Sequence, residues 1–188
     1  GAHPCSSRLA NRRTRFRLLF GTYSYLANLG NWILDLLPDF VRSLIFARLF
    51  GAYGKGVYID YRCYFRYFRR VRLGNNVTIN RGCRFFASHA FRDAEIRIGD
   101  NVAIAPEVCF FAAGHDHESL TLPDVAKSIV VGDYVWIGGR SIILPGVTIG
   151  AGAVIGAGSV VCRDIPEWTI AVGNPARVVK PRKLAEDS

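Results

Sequence analysis

The sequence predicts an all-β fold, a parallel solenoid wound as a triangular prism of about five coils, and three observations predict it. Over residues 129–162, IVVGDYVWIGGRSIILPGVTIGAGAVIGAGSVVC, an aliphatic residue recurs every six positions: Val131, Ile137, Ile143, Ile149, Ile155 and Val161. The same phase runs backwards through the chain. Inward positions group as Tyr53, Ile59, Phe65; Leu73, Ile79, Phe85; Ile98, Ile104, Phe110; Val131, Ile137, Ile143; and Ile149, Ile155, Val161. Between groups the spacing is 8, 13, 21 and 6, so every extra residue enters after the third side of a coil. No helix has a six-residue period, whereas one flat side of a coiled prism does. A solenoid tolerates insertions at one corner of its cross-section.

The elements follow in order. Residues 1–50 read as a basic and helical cap segment. RLANRRTRFRLLF at 8–20 is basic and then apolar. From Ile33 the apolar positions Leu36, Leu37, Phe40, Val41, Leu44, Ile45 and Leu49 have helical spacing, with Pro38 suited to a first helical turn and Gly51 to the end. This cap would cover the solenoid's open end. With Arg42 and Arg48 within it, it would also suit a peripheral membrane contact, apolar face in the interface and Arg against lipid phosphate. Residues 51–165 form the solenoid. YRCYFRYFRRVR, near its start, reads as strand alternation with aromatics and Arg on opposite faces. Residues 111–130 form the longest corner loop, and long loops commonly carry function. Residues 166–188, with Pro166, Pro175 and Pro181, predict an irregular return, a short strand near Ile170 and a basic tail.

The formal charge is +9, from 24 Lys and Arg against 15 Asp and Glu. That favours an anionic ligand. No nucleic-acid motif accompanies it, so nucleic acid is not expected as a partner. Cys5, Cys63, Cys83, Cys109 and Cys162 are odd in number and lack a C-x-x-C, which predicts free, mostly buried thiols in a reducing cytoplasm. There is no apolar span of membrane length, and the expected location is cytoplasmic, at most on the inner membrane face.

Over Gly51 to Lys180 the pattern resembles the hexapeptide-repeat acyltransferases, most specifically in VVGDYVWIGGRSIILPGVTIGAGAVIGAGSVVCRDIP and AVGNPARVVK. Among these it is most similar to the maltose, galactoside and surface-polysaccharide O-acetyltransferases. The resemblance implies a left-handed β-helix, a homotrimer with sites between subunits, and acetyl-coenzyme A as donor to a sugar or glycan hydroxyl. His115 in GHDHE matches the position of the family's general base, and an imidazole suits that role at neutral pH. His117 is the fallback. Asn80, and less directly Asp93 in the seven-residue insertion, match the acceptor side. Trp136, Gly138, Gly139, Ser141 and Ala157 match the wall along the pantetheine arm, where a backbone N–H near Ser141 or Gly139 would stabilise the oxyanion. Arg177 and Lys180 match the cations that meet nucleotide phosphates. No metal is implied. Two rival enzymes share parts of this pattern. One is a β-helical zinc carbonic anhydrase with His115, His117 and His89 as ligands. The other is an antibiotic acetyltransferase.

Overall fold

The computed structural model describes residues 21–88, 91 and 93–184. His3, Cys5, the basic run at 8–17 and His89 lie outside them. By their contacts the residues divide into two compact units, 1–37 and 38–188. In the first, residues 21–35 form a helix, α1. The sequence reading gave no helix over 21–31, where Gly21, Gly30, Asn28 and Asn31 weaken the propensity. The two Asn side chains donate to Ser24 and Ala27 carbonyls one turn back.

The second unit opens with helix α2 (Asp39–Leu49), entered from Pro38 as the sequence predicts. The first winding follows as β1 (Ala52–Tyr53), β2 (Tyr58–Ile59) and β3 (Tyr64–Arg66); the next as β4 (Val71–Leu73), β5 (Thr78–Ile79) and β6 (Arg84–Phe86). Then come β7 (Ile96–Ile98), β8 (Ala103–Ile104) and β9 (Cys109–Phe111), and a hairpin of β10 (Ala113–His115) with β11 (Asp124–Ala126). The remaining windings are β12 (Ile129–Val131), β13 (Trp136–Ile137), β14 (Ile142–Ile143), and β15 (Thr148–Ile149), β16 (Val154–Ile155), β17 (Val160–Val161). The chain returns through β18 (Thr169–Val172) and β19 (Arg177–Pro181). The strand near Ile170 is present, and the basic tail contributes β19, which was not expected, as an antiparallel edge on β18.

Three parallel sheets result: β1-β4-β7-β12-β15, then β2-β5-β8-β13-β16 extended by β18 and β19, and β3-β6-β9-β14-β17. We call them the first, second and third faces. Their registers reproduce the six-residue phase. Tyr53 pairs with Leu73, Leu73 with Ile98, Ile98 with Val131 and Val131 with Ile149. Ile59, Ile79, Ile104, Ile137 and Ile155 make the second row. Phe65, Phe85, Phe110, Ile143 and Val161 make the third. All these inward residues are buried except Tyr53, which is half-buried.

The interior is a stack of like residues. Phe65, Phe85 and Phe110 lie ring on ring at 4.7 and 4.6 Å, and Phe50 from the end of α2 meets Phe65 at 4.9 Å. Each such pair adds about 0.5–1.5 kcal/mol beyond area burial. Within YRCYFRYFRRVR the aromatics do not keep to one face as predicted, since on β3 Phe65 points inward while Tyr64 shares the outer face with Arg66. Phe86 and Phe111 also stack on the outer surface, at 5.0 Å, because parallel in-register strands set like positions above one another on both faces. Where a glycine follows an inward residue, it makes room for the next winding. A Cβ on Gly138 would lie 2.5 Å from the Ala157 nitrogen in the next winding.

Arg42 is not available to lipid, contrary to the sequence reading. It is 1% exposed and donates to the Ile59 carbonyl at 3.2 Å and the Asp60 carbonyl at 3.3 Å, with its guanidinium 4.3 Å from the Tyr61 ring centre. An Arg on the helix face toward the first winding satisfies carbonyls there instead of reaching solvent.

Candidate functional site

Each side of the prism is a strand and each corner a short turn, so residue positions in the repeat translate directly into corners. The corner between the second and third faces carries Asn80, Pro106 and Glu107, Gly138 to Arg140, and Ala157 on successive windings. Here an open groove of about 440 Å³ is lined by Pro106, Glu107, Gly139, Arg140 and Ala157. Two of the predicted wall residues therefore line the groove together. Gly139 leaves room, since a Cβ there would sit 3.1 Å from the Pro106 carbonyl oxygen. Its N–H makes no hydrogen bond among the described residues.

The groove also holds residues the sequence reading missed. Arg140 donates to Glu107 at 2.6 Å across the groove. That hydrogen bond, and then the carboxylate's charge, raise the guanidinium further above its ordinary pKa. Both residues adopt positive φ, 63° and 60°, at equivalent turn positions. The equivalent turns of neighbouring windings use Gly82 and Gly158 there. A non-glycine residue in the left-handed region is the signal that could have drawn attention to this corner.

Two of the predicted wall residues are buried. Ser141 is fully buried, and its hydroxyl donates to the Gly138 carbonyl at 2.7 Å and the Gly156 carbonyl at 3.1 Å. Its side chain braces the corner from inside and does not face the groove. Gly138 is likewise buried, and the next winding leaves no room for a side chain there. Asn80 keeps its place on the corner but is partly committed: its Nδ2 donates to the Ile104 carbonyl at 2.8 Å.

Trp136 lies on the second face, half-exposed, in the register row that continues through Val154 and Ile170 to Lys180. Lys180 and Arg177 are exposed on β19, and Arg177 pairs with Val172, whose side chain covers Gly156. The predicted cations thus extend the groove corner and the Trp136 face toward the C-terminal end.

His115 sits elsewhere, in the hairpin at the corner between the third and first faces. β10 and β11 hold it there by antiparallel pairing of His115 with Asp124. Its Nδ1 lies 3.0 Å from the Leu122 carbonyl and 3.2 Å from the Asp124 carboxylate, and the side chain is largely exposed. Two acceptors at Nδ1 favour the tautomer with the proton on that nitrogen, so the lone pair of the neutral ring is on Nε2. Asp93 occupies the same corner in the previous winding. It is exposed, and its carbonyl accepts from Ser128 at 2.9 Å, where β11 ends and β12 begins. The corners of His115 and Gly139 are separated by the width of the third face, roughly 15–20 Å for five or six strand residues.

Among the described residues no three His, Cys, Asp or Glu side chains gather as a metal site, and His89 of the zinc reading lies outside them. Cys63 and Cys83 are buried, with Sγ on the Asn80 and Ala105 carbonyls, while Cys109 is half-buried and Cys162 exposed, so burial is less general than expected.

The comparisons with known proteins agree with the repeat and the fold. A family model described as bacterial transferase hexapeptide, six repeats, matches residues 128–163. The galactoside O-acetyltransferase of Escherichia coli (strain K12) is 37% identical over 142 residues, which cover 74% of this chain and 68% of that protein. The crystal structure of a maltose O-acetyltransferase from Clostridium difficile 630 is similar with a TM-score of 0.75 and 36% identity, covering 85% of this chain and 86% of that one. A hexapeptide-repeat acetyltransferase from Vibrio cholerae O1 biovar eltor, complexed with acetyl coenzyme A, gives a TM-score of 0.75 and 32% identity over 84% of this chain and 85% of that one.

Proposed function

The chain belongs to the hexapeptide-repeat transferase family, and on that premise we propose that it is an acetyl-coenzyme A-dependent O-acetyltransferase acting on a sugar or glycan, with His115 as general base. The prism is then a left-handed β-helix of five coils capped by α2. The observation that carries the catalytic assignment is the Nδ1 contact of His115 with the Leu122 carbonyl, which in the neutral ring puts the lone pair on Nε2 of a largely exposed side chain.

His115 Nε2 takes the proton of the acceptor hydroxyl. The freed oxygen attacks the thioester carbonyl carbon, and the oxyanion accepts a hydrogen bond from the Gly139 N–H. The C–S bond breaks, the acetyl group stays on the sugar oxygen, and the imidazolium returns its proton to the departing thiolate. No acyl-enzyme is needed. Ala157 and Trp136 flank the pantetheine arm, and Arg177 and Lys180 receive the nucleotide phosphates. Asn80 and Asp93 serve the acceptor. A glycan of a surface polysaccharide is the acceptor class this reading favours.

Because His115 and the Gly139 groove occupy different corners, a complete site takes His115 from one prism and the groove from the next, in a homotrimer. Subunit mixing tests this together with the base. His115→Ala and Ala157→Trp chains are each inactive alone. Refolded together at equal ratio, they regain about a quarter of wild-type activity, since a site is whole when each partner supplies its intact half. No recovery on mixing would place base and groove in one subunit and overturn the reading.

A further inference from the structure

The outer surface of the third face carries side chains that the transfer chemistry leaves unused. On β3, β6 and β9 the outward residues are Tyr64 and Arg66, Arg84 and Phe86, Cys109 and Phe111, and none is acidic. Register sets Arg84 beside Tyr64, and Phe86 between Arg66 and Phe111. The rings of Tyr64, Phe86 and Phe111 join in one half-buried strip, with centres 5.6 and 5.0 Å apart. Arg84 is exposed on this strip, and Arg81 and Arg69 are exposed at the two corners that bound the face. Among the described residues, none of these three side chains has a hydrogen-bond or ion-pair partner. The first face differs, since Arg72 and Arg97 share Glu95 at 3.1 Å. Residues 61–88 contain no Asp or Glu that could do the same for the third. Its positive field is therefore left for an anionic ligand to meet.

The position of the face says which ligand that is. It runs from the groove corner, where Arg81 follows Asn80, to the corner that carries His115. A chain of sugars entering the transfer point along it meets rings and cations together. The ring strip offers hydrocarbon to the C–H side of a pyranose. The three cations stand apart, one at each corner and one on the strand, which suits single charges carried by successive sugars. A phosphate site would instead gather its donors on one group. We propose that the third face binds the acceptor, and that the acceptor is a glycan of uronic acids whose carboxylates meet Arg69, Arg81 and Arg84 while its rings lie on Tyr64, Phe86 and Phe111. The inference rests on the sugar-acetylation reading and adds to it the charge of the substrate.

Calorimetric titration of the full chain with trigalacturonate, against its trimethyl ester, tests this, because the two probes differ in charge and hardly in shape. The ester binds about tenfold more weakly, the loss of a few exposed ion pairs, and added salt weakens only the acid. Arg84→Gln and Arg81→Gln each weaken binding of the acid by about three- to fivefold. Arg97→Gln, which removes the same charge from the first face, leaves it nearly unchanged. Equal binding of acid and ester, or binding of the acid that Arg84→Gln does not alter, would overturn the proposal. Acetyl transfer from acetyl-coenzyme A to both probes is measured alongside. Transfer to the ester as efficient as to the acid would keep the acetylation reading and overturn this inference. Arg84-dependent binding of the acid without transfer to either probe would uphold the surface and count against the acetylation reading.

Discussion

His115 Nδ1 lies 3.0 Å from the carbonyl of Leu122, a residue of the same hairpin whose own φ is 47°. The loop thus turns a backbone oxygen onto the imidazole and fixes its tautomer. We expect His115→Ala to lower kcat by roughly 10²–10⁴-fold, the range of a positioned base, with coenzyme A binding unchanged. His117→Ala, by contrast, leaves kcat within a few-fold. Steady-state kinetics with both substrates, and calorimetric titration of coenzyme A, check the pair.

Arg177 is exposed on the edge strand β19, and among the described residues its side chain donates only to the Ala176 carbonyl, its own neighbour. Its charge is thus available to phosphate. Arg177→Ala raises the KM for acetyl-coenzyme A and leaves that of the acceptor nearly alone. With a short thioester lacking the nucleotide, wild type and variant are equal. Equal losses with both donors would make Arg177 a brace of the C-terminal return.

Arg42 tests the helix end of the solenoid. Arg42→Leu removes the donors from the Ile59 and Asp60 carbonyls and the stacking on Tyr61. We expect a loss of about 2–4 kcal/mol, as for other changes that strand buried polar groups. It is read as a lower urea midpoint, with kcat per folded site unchanged.

Gly138 and Gly139 separate folding from chemistry. In Gly138→Ala the new methyl meets backbone of the next winding at 2.5 Å, which costs about 1–3 kcal/mol. Gly139→Ala places its methyl at 3.1 Å from the Pro106 oxygen, on the groove side. Its thermal midpoint stays near wild type while the KM for acetyl-coenzyme A rises. A stability loss confined to Gly139→Ala would reverse the two roles.

The rows of the solenoid were legible because a six-residue repeat leaves no freedom of register. Once Ile137 points inward, Ile104 and Ile155 must as well. The same rule put every insertion at one corner, including the hairpin that carries His115. What periodicity could not show is which way a small side chain faces. Ser141 and Gly139 lie two residues apart in one turn, and only the coordinates separate the buried hydroxyl from the groove. The Glu107–Arg140 pair was invisible for a related reason, since 33 residues separate two groups that consecutive windings bring to the same corner. α1 escaped because Gly and Asn interrupt its pattern.

The placement of all extra residues at the corner between the third and first faces has an evolutionary consequence. Segments 87–95 and 112–128 can lengthen, shorten or be exchanged without shifting any inward row, because each begins after one strand has closed its ladder and ends before the next opens. The groove corner, in contrast, is fixed by four-residue turns whose atoms touch the windings above and below. The chain therefore has two nearly independent parts: an exchangeable rim carrying His115 and Asp93, and a sterically constrained wall carrying Gly139 and Ala157. A prism built this way can vary one edge of its cross-section while the rest of the winding stays as it is.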